Sequence, residues 1–130
     1  MNQIEIRSRK AYQIDTRKLS GIIENSLSVF KQSNSLIELD FVSQTEIKKL
    51  NRIHRSINEA TDILSFPQIE IPGVEVKVLG SLIISPEIVA QKNENLDDVI
   101  KHGILHLLGY DHEVDQRAWE IAAKEIDCKY

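Results

Sequence analysis

The sequence predicts an α+β fold, with a small mixed sheet of about four strands and helices packed around it. Stretches in which every second residue is apolar, typical of strands, alternate with stretches whose apolar residues have helical spacing. The chain has 130 residues, of which 42% are hydrophobic and 28% charged, the composition of an ordinary globular domain. We therefore expect one domain over residues 1–130, with a central helix that carries a histidine motif.

The first part of the chain predicts a strand, a helix and a second strand. Apolar and polar residues alternate around residues 4–6 and again over 37–41, so each strand has one buried face. Between them, residues 19–30 carry apolar side chains at helical spacing. Asp15 or Thr16 is placed to cap the start of this helix.

A second helix is predicted after Ser43, because Ser43 and Glu46 have the spacing of a capping box. Residues at helical spacing give it an apolar stripe and a basic outer face. The stripe is formed by Ile47, Leu50 and Ile53, and the basic face by Lys48, Lys49, Arg52 and Arg55. A solvated surface is the default interpretation of such a charged face.

Two further strands are predicted in the middle of the chain. One covers residues 62–66 and is closed by Pro67, and the other runs from Val74 through Val76 to residues 79–84. The Pro72-Gly73 pair marks a connection that is either a turn or a mobile loop.

Three helices are predicted after the last strand. Ser85-Pro86 has the pattern of an N-cap followed by proline at the first helical position, which opens a short helix. The next helix runs from about residue 96 to 108 and the last from about 113 to 126. The apolar face of the last helix is predicted to lie along Val114, Ala118, Ile121 and Glu125.

Three of the four histidines lie within residues 102–112. His102 and His106 are four apart, which places both imidazoles on one side of a helix, as two adjacent metal ligands require. Gly109 follows as a helix stop, since glycine readily adopts the left-handed conformation that reverses the chain. His112 can then turn back toward the other two histidines.

Three neutral imidazoles suit zinc or a related transition metal, and the absence of a fourth ligand in the motif leaves a position open for water. This is a catalytic arrangement, and we expect one Zn²⁺ per chain at His102, His106 and His112. The alternative is three unrelated histidines, of which one is packed, one caps a helix and one is exposed.

The motif resembles the His-Glu-x-x-His-x-x-Gly-x-x-His pattern of zinc peptidases, but Gly103 stands where those enzymes have their general-base glutamate. The only methionine is Met1, so the methionine turn of some of these enzymes is missing too. A peptidase reaction would lack its usual base. Gly103 either lets a substrate, the metal water or a neighbouring backbone come close, or it permits tight helix packing.

The segment His-Gly-x-Leu-His-Leu-x-Gly-Tyr-Asp-His closely resembles the signature of the YbeY family of metal-dependent endoribonucleases, bacterial factors of ribosomal RNA maturation. Leu50-Asn51, Arg55 and residues 61–67 resemble a second family signature, and Leu79-Gly80 a third. The resemblance runs from about Ser43 to the C-terminus. Ser81 departs from it, because the family usually has aspartate there, and the connection between residues 85 and 102 is shorter than usual.

This resemblance implies a zinc-dependent, single-strand-specific endoribonuclease of one catalytic domain. It implies that His102, His106 and His112 bind the zinc and that Arg55 lies near the metal, so Arg55 and His106 are the predicted catalytic residues. The implied role is processing of the 16S ribosomal RNA 3′ end, ribosome maturation and quality control. The implied partners are single-stranded ribosomal RNA and the small ribosomal subunit or its assembly proteins.

The proposed chemistry is phosphodiester cleavage in which zinc polarises a phosphoryl oxygen and lowers the pKa of its water to about 7. Arg55 either holds the phosphate by two hydrogen bonds or stabilises the charge that develops on it. Asp111 either orients a ligand imidazole or caps the last helix. His54 is expected to be a packing or surface residue. Trp119 is expected in the core, as is Tyr110, whose alternative role is to stack on a base. The alternatives are a non-catalytic, zinc-containing ribosome-assembly factor and a metalloprotease-like hydrolase.

Charge and composition restrict the partners. No apolar run exceeds three residues, the first ten residues lack an apolar signal core, and Cys128 has no partner cysteine, so we expect a cytoplasmic protein without membrane association. The formal charge of −4 argues against unselective binding of nucleic acid. However, residues 1–55 carry +4 and residues 56–130 carry −8, which permits a local contact with RNA.

Overall fold

The computed structural model describes residues 2–9, 12–68 and 77–129. Its strands and helices follow the predicted order. They are β1 (Gln3–Ser8), α1 (Thr16–Val29), β2 (Ser35–Phe41), α2 (Gln44–Arg55), β3 (Ile63–Pro67), β4 (Lys77–Ile84), α3 (Pro86–Gln91), α4 (Leu96–Leu107) and α5 (Gln116–Glu125). Val74, Val76 and the Pro72-Gly73 pair, which the sequence assigned to the fourth strand and its connection, lie outside the described residues.

The described strands form one mixed sheet in the order β1-β2-β4-β3. β1 and β4 both pair with β2 in parallel, and β3 pairs with β4 in antiparallel. The predicted α+β fold with a four-stranded mixed sheet is thereby confirmed. β3 is the edge strand beside β4. Its other edge therefore has no strand partner in the described sheet and is available to border a cleft.

Helices α1 and α4 cover one face of the sheet. Alternate residues of β2, namely Ile37, Leu39 and Phe41, point toward these helices and are at most 1% exposed. Ile100 and Ile104 of α4 pack into the same core and are completely buried. Helix α4 also contacts β3, β4, α1, α3 and α5, so it is the central helix that the sequence predicted.

Helix α2 packs against the opposite face, where Ile47 contacts a small core with Val42 and Leu64. Ile53 does not join this core, because its side chain is 58% exposed. The predicted apolar stripe of α2 was therefore wrong at this position. At about 100° of rotation per residue, Ile53 lies about 120° around the helix from Ile47 and turns away from the sheet.

The predicted helix caps are confirmed in three places. Of the two candidates at the start of α1, it is the Asp15 carboxylate that accepts a hydrogen bond, from the Lys18 N–H. Ser43 accepts from the Glu46 N–H at the start of α2, and Ser85 accepts from the Ile88 N–H, with Pro86 at the first helical position of α3. These side chains fix where each helix leaves the sheet.

Helix α5 begins later than predicted, and a different face is buried. Asp115 is its N-cap, so residues 111–115 form turns that precede the helix. Val114 is 84% exposed and Ile121 57% exposed, which shows that the predicted apolar face was wrong. The buried side is set by the docking of α5 on α4. It consists of Trp119, Ala122, Ala123 and, just past the helix, Ile126.

Among the described helices, none combines the length and the apolar character that a bilayer crossing requires.

Candidate metal centre

Helix α4 brings His102 and His106 together on one side, one turn apart. Their Nε2 atoms are 3.1 Å apart, and both side chains are partly buried. The helix is anchored at its start by Asn95, whose side chain accepts hydrogen bonds from the Asp97 and Asp98 N–H groups. Its apolar residues hold it against the sheet, so the two imidazoles have a fixed support.

A glycine turn at the end of α4 returns the third histidine to the first two. Gly109 has a φ of 97°, the Gly109 N–H donates to His106 O, and the Tyr110 N–H donates to Leu105 O, each at 3.0 Å. These two bonds are the Schellman arrangement that closes a helix with a left-handed residue. The His112 ring centre then lies 5.5 Å from that of His102 and 5.9 Å from that of His106.

The donor set fits a transition-metal ion. One ring nitrogen from each of His102, His106 and His112 lies within 4.8 Å of the others, and this is the only such cluster of three or more His, Cys, Asp or Glu among residues 2–9, 12–68 and 77–129. Zinc–imidazole bonds of about 2.0–2.1 Å place tetrahedral ligand atoms roughly 3.3 Å apart. The His102–His106 separation already matches, and a small movement of a ring would complete the set.

Burial favours the neutral forms of the His102 and His106 imidazoles. It is the main cause that lowers the pKa of His102 from 6.5 to about 4, and repulsion from His106 and His112 adds to it. Burial also lowers the pKa of His106, although the nearby Asp111 carboxylate acts in the opposite direction. A metal ion needs the unprotonated nitrogen, so both side chains are ready to bind one at neutral pH.

Trp119 of α5 forms the base of the histidine cluster. Its ring centre lies 4.7 Å from that of His102 and 5.1 Å from those of His106 and His112, and the residue is 1% exposed. The sequence predicted a core tryptophan but not this position. No spacing rule links Trp119 to the histidines, because the contact depends on how α5 docks on α4.

An open cleft of about 430 Å³ exposes the histidines. The edge strand β3 borders it, and Arg55 reaches it from the end of α2. The lining comprises Arg55, Thr61, Asp62, Ile63, Ser65, Pro67, His102, His106, Asp111, His112 and Glu113. The structure thus places Arg55 and the three histidines around one cavity.

Asp111 lines the cleft but does not cap the last helix, so the helix-cap alternative from the sequence was wrong. Asp115 is that cap. The Asp111 carboxylate accepts a hydrogen bond of 2.9 Å from the Glu113 N–H, and its negative charge raises the pKa of His106 against the effect of burial. The carboxylate therefore acts on the histidine cluster through its charge.

Gly103 supports the packing interpretation. It is buried, and a Cβ atom there would lie 2.6 Å from Ile63 Cδ1 and 2.8 Å from Leu82 Cδ2. The missing side chain lets α4 lie close to the sheet. A glutamate at this position, as in zinc peptidases, would displace β3 or β4 side chains.

Two other positions singled out in the sequence lie away from the cluster. The Ser81 hydroxyl donates to Glu38 Oε2 at 3.3 Å, and Ser81 points to the sheet face opposite α4, since its neighbour Leu82 faces that helix. His54 is exposed and packs edge-on against Phe66 with ring centres 5.2 Å apart, as expected for a surface packing residue.

A small mixed sheet, a helix with paired histidines and an open cleft beside a three-histidine cluster define an α+β protein with a candidate site for a metal ion. A model of the family described as endoribonuclease YbeY matches residues 3–128. The chain therefore belongs to the YbeY endoribonuclease family, which confirms the resemblance and extends it to β1, α1 and β2.

Individual relatives agree with the family match. The chain is 34% identical to an endoribonuclease YbeY of Aliarcobacter butzleri, over 98% of this chain and 91% of that protein. It is 40% identical to an endoribonuclease YbeY of Nautilia profundicola, over 94% of this chain and 86% of that protein. Its fold resembles the solution structure of TM1509 from Thermotoga maritima, with a TM-score of 0.58, 27% identity and coverage of 96% and 87%.

Proposed function

We propose that this chain is a zinc-dependent, single-strand-specific endoribonuclease that processes ribosomal RNA, including the 16S 3′ end, in ribosome maturation and quality control. The observation that carries the proposal is the convergence of three imidazoles and Arg55 on one open cleft in a member of the YbeY family. Residues 1–130 would act as a single catalytic domain. The site of action would be the cytoplasm, on the small ribosomal subunit or with its assembly proteins.

His102, His106 and His112 are the proposed ligands of one zinc ion. Three uncharged ligands would leave the full double positive charge of the ion available to a phosphate, whereas a carboxylate ligand would cancel part of it. The chemistry that zinc supplies at such a site is polarisation of a phosphoryl oxygen and a shift of the pKa of water to about 7. A strong protein base is then unnecessary, which fits the glycine at position 103.

Arg55 is the proposed phosphate-binding residue. Its guanidinium lines the cleft, and its charge is close enough to lower the pKa of His106. A guanidinium can donate two parallel hydrogen bonds to one phosphate and remains charged at every physiological pH. Arg55 would hold the scissile phosphate beside the histidine cluster and stabilise the charge that develops on it.

Two carboxylates of the cleft, those of Asp62 and Asp111, accept local hydrogen bonds. Asp62 accepts from the Ile63 N–H at 2.8 Å and from the Thr61 hydroxyl at 3.2 Å, and Asp111 accepts from the Glu113 N–H. Their main effect would be to hold the cleft wall. The nucleophile is either water or the RNA 2′-hydroxyl, and the product ends distinguish them, because a 2′,3′-cyclic phosphate requires attack by the 2′-hydroxyl.

The decisive experiment joins metal analysis with cleavage of a single-stranded RNA by wild type, His106→Ala and Arg55→Ala. We expect about one zinc per wild-type chain, loss of metal and activity in His106→Ala, and loss of activity with metal retained in Arg55→Ala. His54→Ala is the matched control, because it removes a histidine outside the cluster and should change neither result. A wild-type protein that binds no transition metal would refute the proposal.

The same variants separate the alternatives. If His106→Ala stays folded and ribosomal RNA processing by purified, nuclease-free protein is unchanged, the chain is a non-catalytic assembly factor in which zinc only orders the fold. Metal-dependent cleavage of casein would indicate a metalloprotease-like hydrolase. The packing of Gly103 against Ile63 and Leu82 weighs against that reaction, since the peptidase glutamate at this position would have to displace these side chains.

A further inference from the structure

Helix α2 exposes a strip of four cations, Lys48, Lys49, Arg52 and Arg55, which we call the α2 basic strip. Lys48, Arg52 and Arg55 follow one another at intervals of four and three residues, so they lie along one side of the helix, with Lys49 beside them. All four are exposed, while Ile47 fixes the other side of the helix to the sheet. The strip is therefore held on a rigid support.

The charge of the strip is not neutralised locally. Within the described parts of the chain, none of its four side chains forms an ion pair or hydrogen bond. Glu46, the acidic residue in the first turn of α2, instead pairs with Arg9 at 3.1 Å, and Arg9 also pairs with Asp40 at 3.4 Å. The carboxylate nearest in sequence to the strip is thus already bound.

The strip begins at the cleft and leads away from it. Arg55 lines the cleft, and the seven residues back to Lys48 extend about 10 Å along the helix axis. The chain that follows His112 has the opposite charge, with exposed Glu113 and Asp115. A polyanion that enters the cleft would therefore be attracted along α2 and repelled from the turn before α5.

We propose that the α2 basic strip binds the phosphate backbone of single-stranded RNA on one side of the scissile phosphate. This proposal rests on the proposed function, and it adds that substrate recognition extends beyond the cleft to at least two flanking nucleotides. Ile53, exposed one helical turn from Lys49, offers an apolar surface to an unstacked base. Single-stranded RNA presents phosphates, which the cations would bind, and unstacked bases, which would contact the apolar surface.

The test measures binding of a fluorescent, 12-nucleotide 2′-O-methyl oligoribonucleotide by anisotropy over a salt series, with the integrity of the probe checked on gels. The test variant is Lys48→Gln/Lys49→Gln/Arg52→Gln. The control removes three exposed cations elsewhere, as Arg17→Gln/Lys124→Gln/Lys129→Gln, and so has the same net charge. Circular dichroism of both variants reports whether they remain folded.

We expect the test variant to bind at least about tenfold more weakly at about 50 mM salt, and the control variant to bind nearly as wild type. With three phosphate contacts removed, the slope of log Kd against log salt concentration should fall by about 2. Raising the salt to about 200 mM should then weaken wild-type binding about 20-fold more than that of the test variant.

Equal losses of RNA affinity in the test and control variants would show that only net charge matters. Unchanged binding by the test variant would show that the strip is a solvated face. Either result overturns the proposal. Unchanged RNA binding with lost binding of an acidic ribosomal protein would make the strip a protein-binding surface and overturn it as well. Cleavage of unmodified RNA by the wild type is measured in parallel. If the proposed function is wrong, the wild type will not cleave unmodified RNA. If only the inference about the α2 basic strip is wrong, cleavage will be seen and the binding results will not match those expected.

Discussion

Replacing Gly103 by alanine should destabilise the protein, although it improves helix propensity. In an unconstrained helix the change stabilises by about 1 kcal/mol. Here the new methyl group would lie 2.6 Å from Ile63 Cδ1 and 2.8 Å from Leu82 Cδ2, about 1 Å inside the normal carbon contact of about 3.5–4.0 Å. Overpacking of this kind costs about 1–3 kcal/mol. Since Leu82 is completely buried and cannot move freely, we expect a net loss of about 1 kcal/mol.

Gly21→Ala is the matched control, because Gly21 lies inside α1, is exposed, and has no neighbouring atom within 4 Å of a Cβ. It should gain up to about 1 kcal/mol, so the two glycine variants should change stability with opposite signs. Urea unfolding of protein stripped of metal with a chelator measures both, since bound metal would add its own stabilisation. A Gly103→Ala protein as stable as wild type, or more stable, would refute the packing argument.

Three further predictions concern the cluster and its surroundings. Trp119 is the only tryptophan and touches all three imidazoles, so one equivalent of Co²⁺ should quench its fluorescence. Unchanged fluorescence in wild type, or equal quenching in His106→Ala, would contradict the metal site. Burial raises the pKa of the Cys128 thiol to about 11, so the thiol stays protonated at pH 8. Iodoacetamide should therefore alkylate it far more slowly in native than in urea-unfolded protein. Equal alkylation rates would contradict the protection of this thiol by burial. Gly109→Ala should lower the free energy of unfolding, measured by urea titration, by about 1 kcal/mol, because φ is 97° at this position. It should also weaken zinc binding by displacing His112. Unchanged stability would show that the turn tolerates a side chain.

Local chemistry explains why the sequence predicted so much of this fold. The strand and helix patterns, the caps at Asp15, Ser43 and Ser85, and the glycine stop at Gly109 depend on residues within a few positions of each other. The His102–His106 pair also follows from helix geometry alone. The prediction failed for α5, where Val114 and Ile121 were assigned to a buried face, because the phase of a short helix is set by the surface on which it docks.

The sequence by itself determined the order of elements, the histidine spacing and the family, since each depends on residues close together in the chain. Tertiary structure alone decided that Trp119 lies under the imidazoles and that Gly103 packs on the sheet. It also brings Arg55 to the histidine cleft, a placement that only the family resemblance had implied. These contacts join segments separated by long stretches of chain. They arise when the helices settle on the sheet at the distance that their buried side chains allow, and spacing along the chain carries no record of that distance.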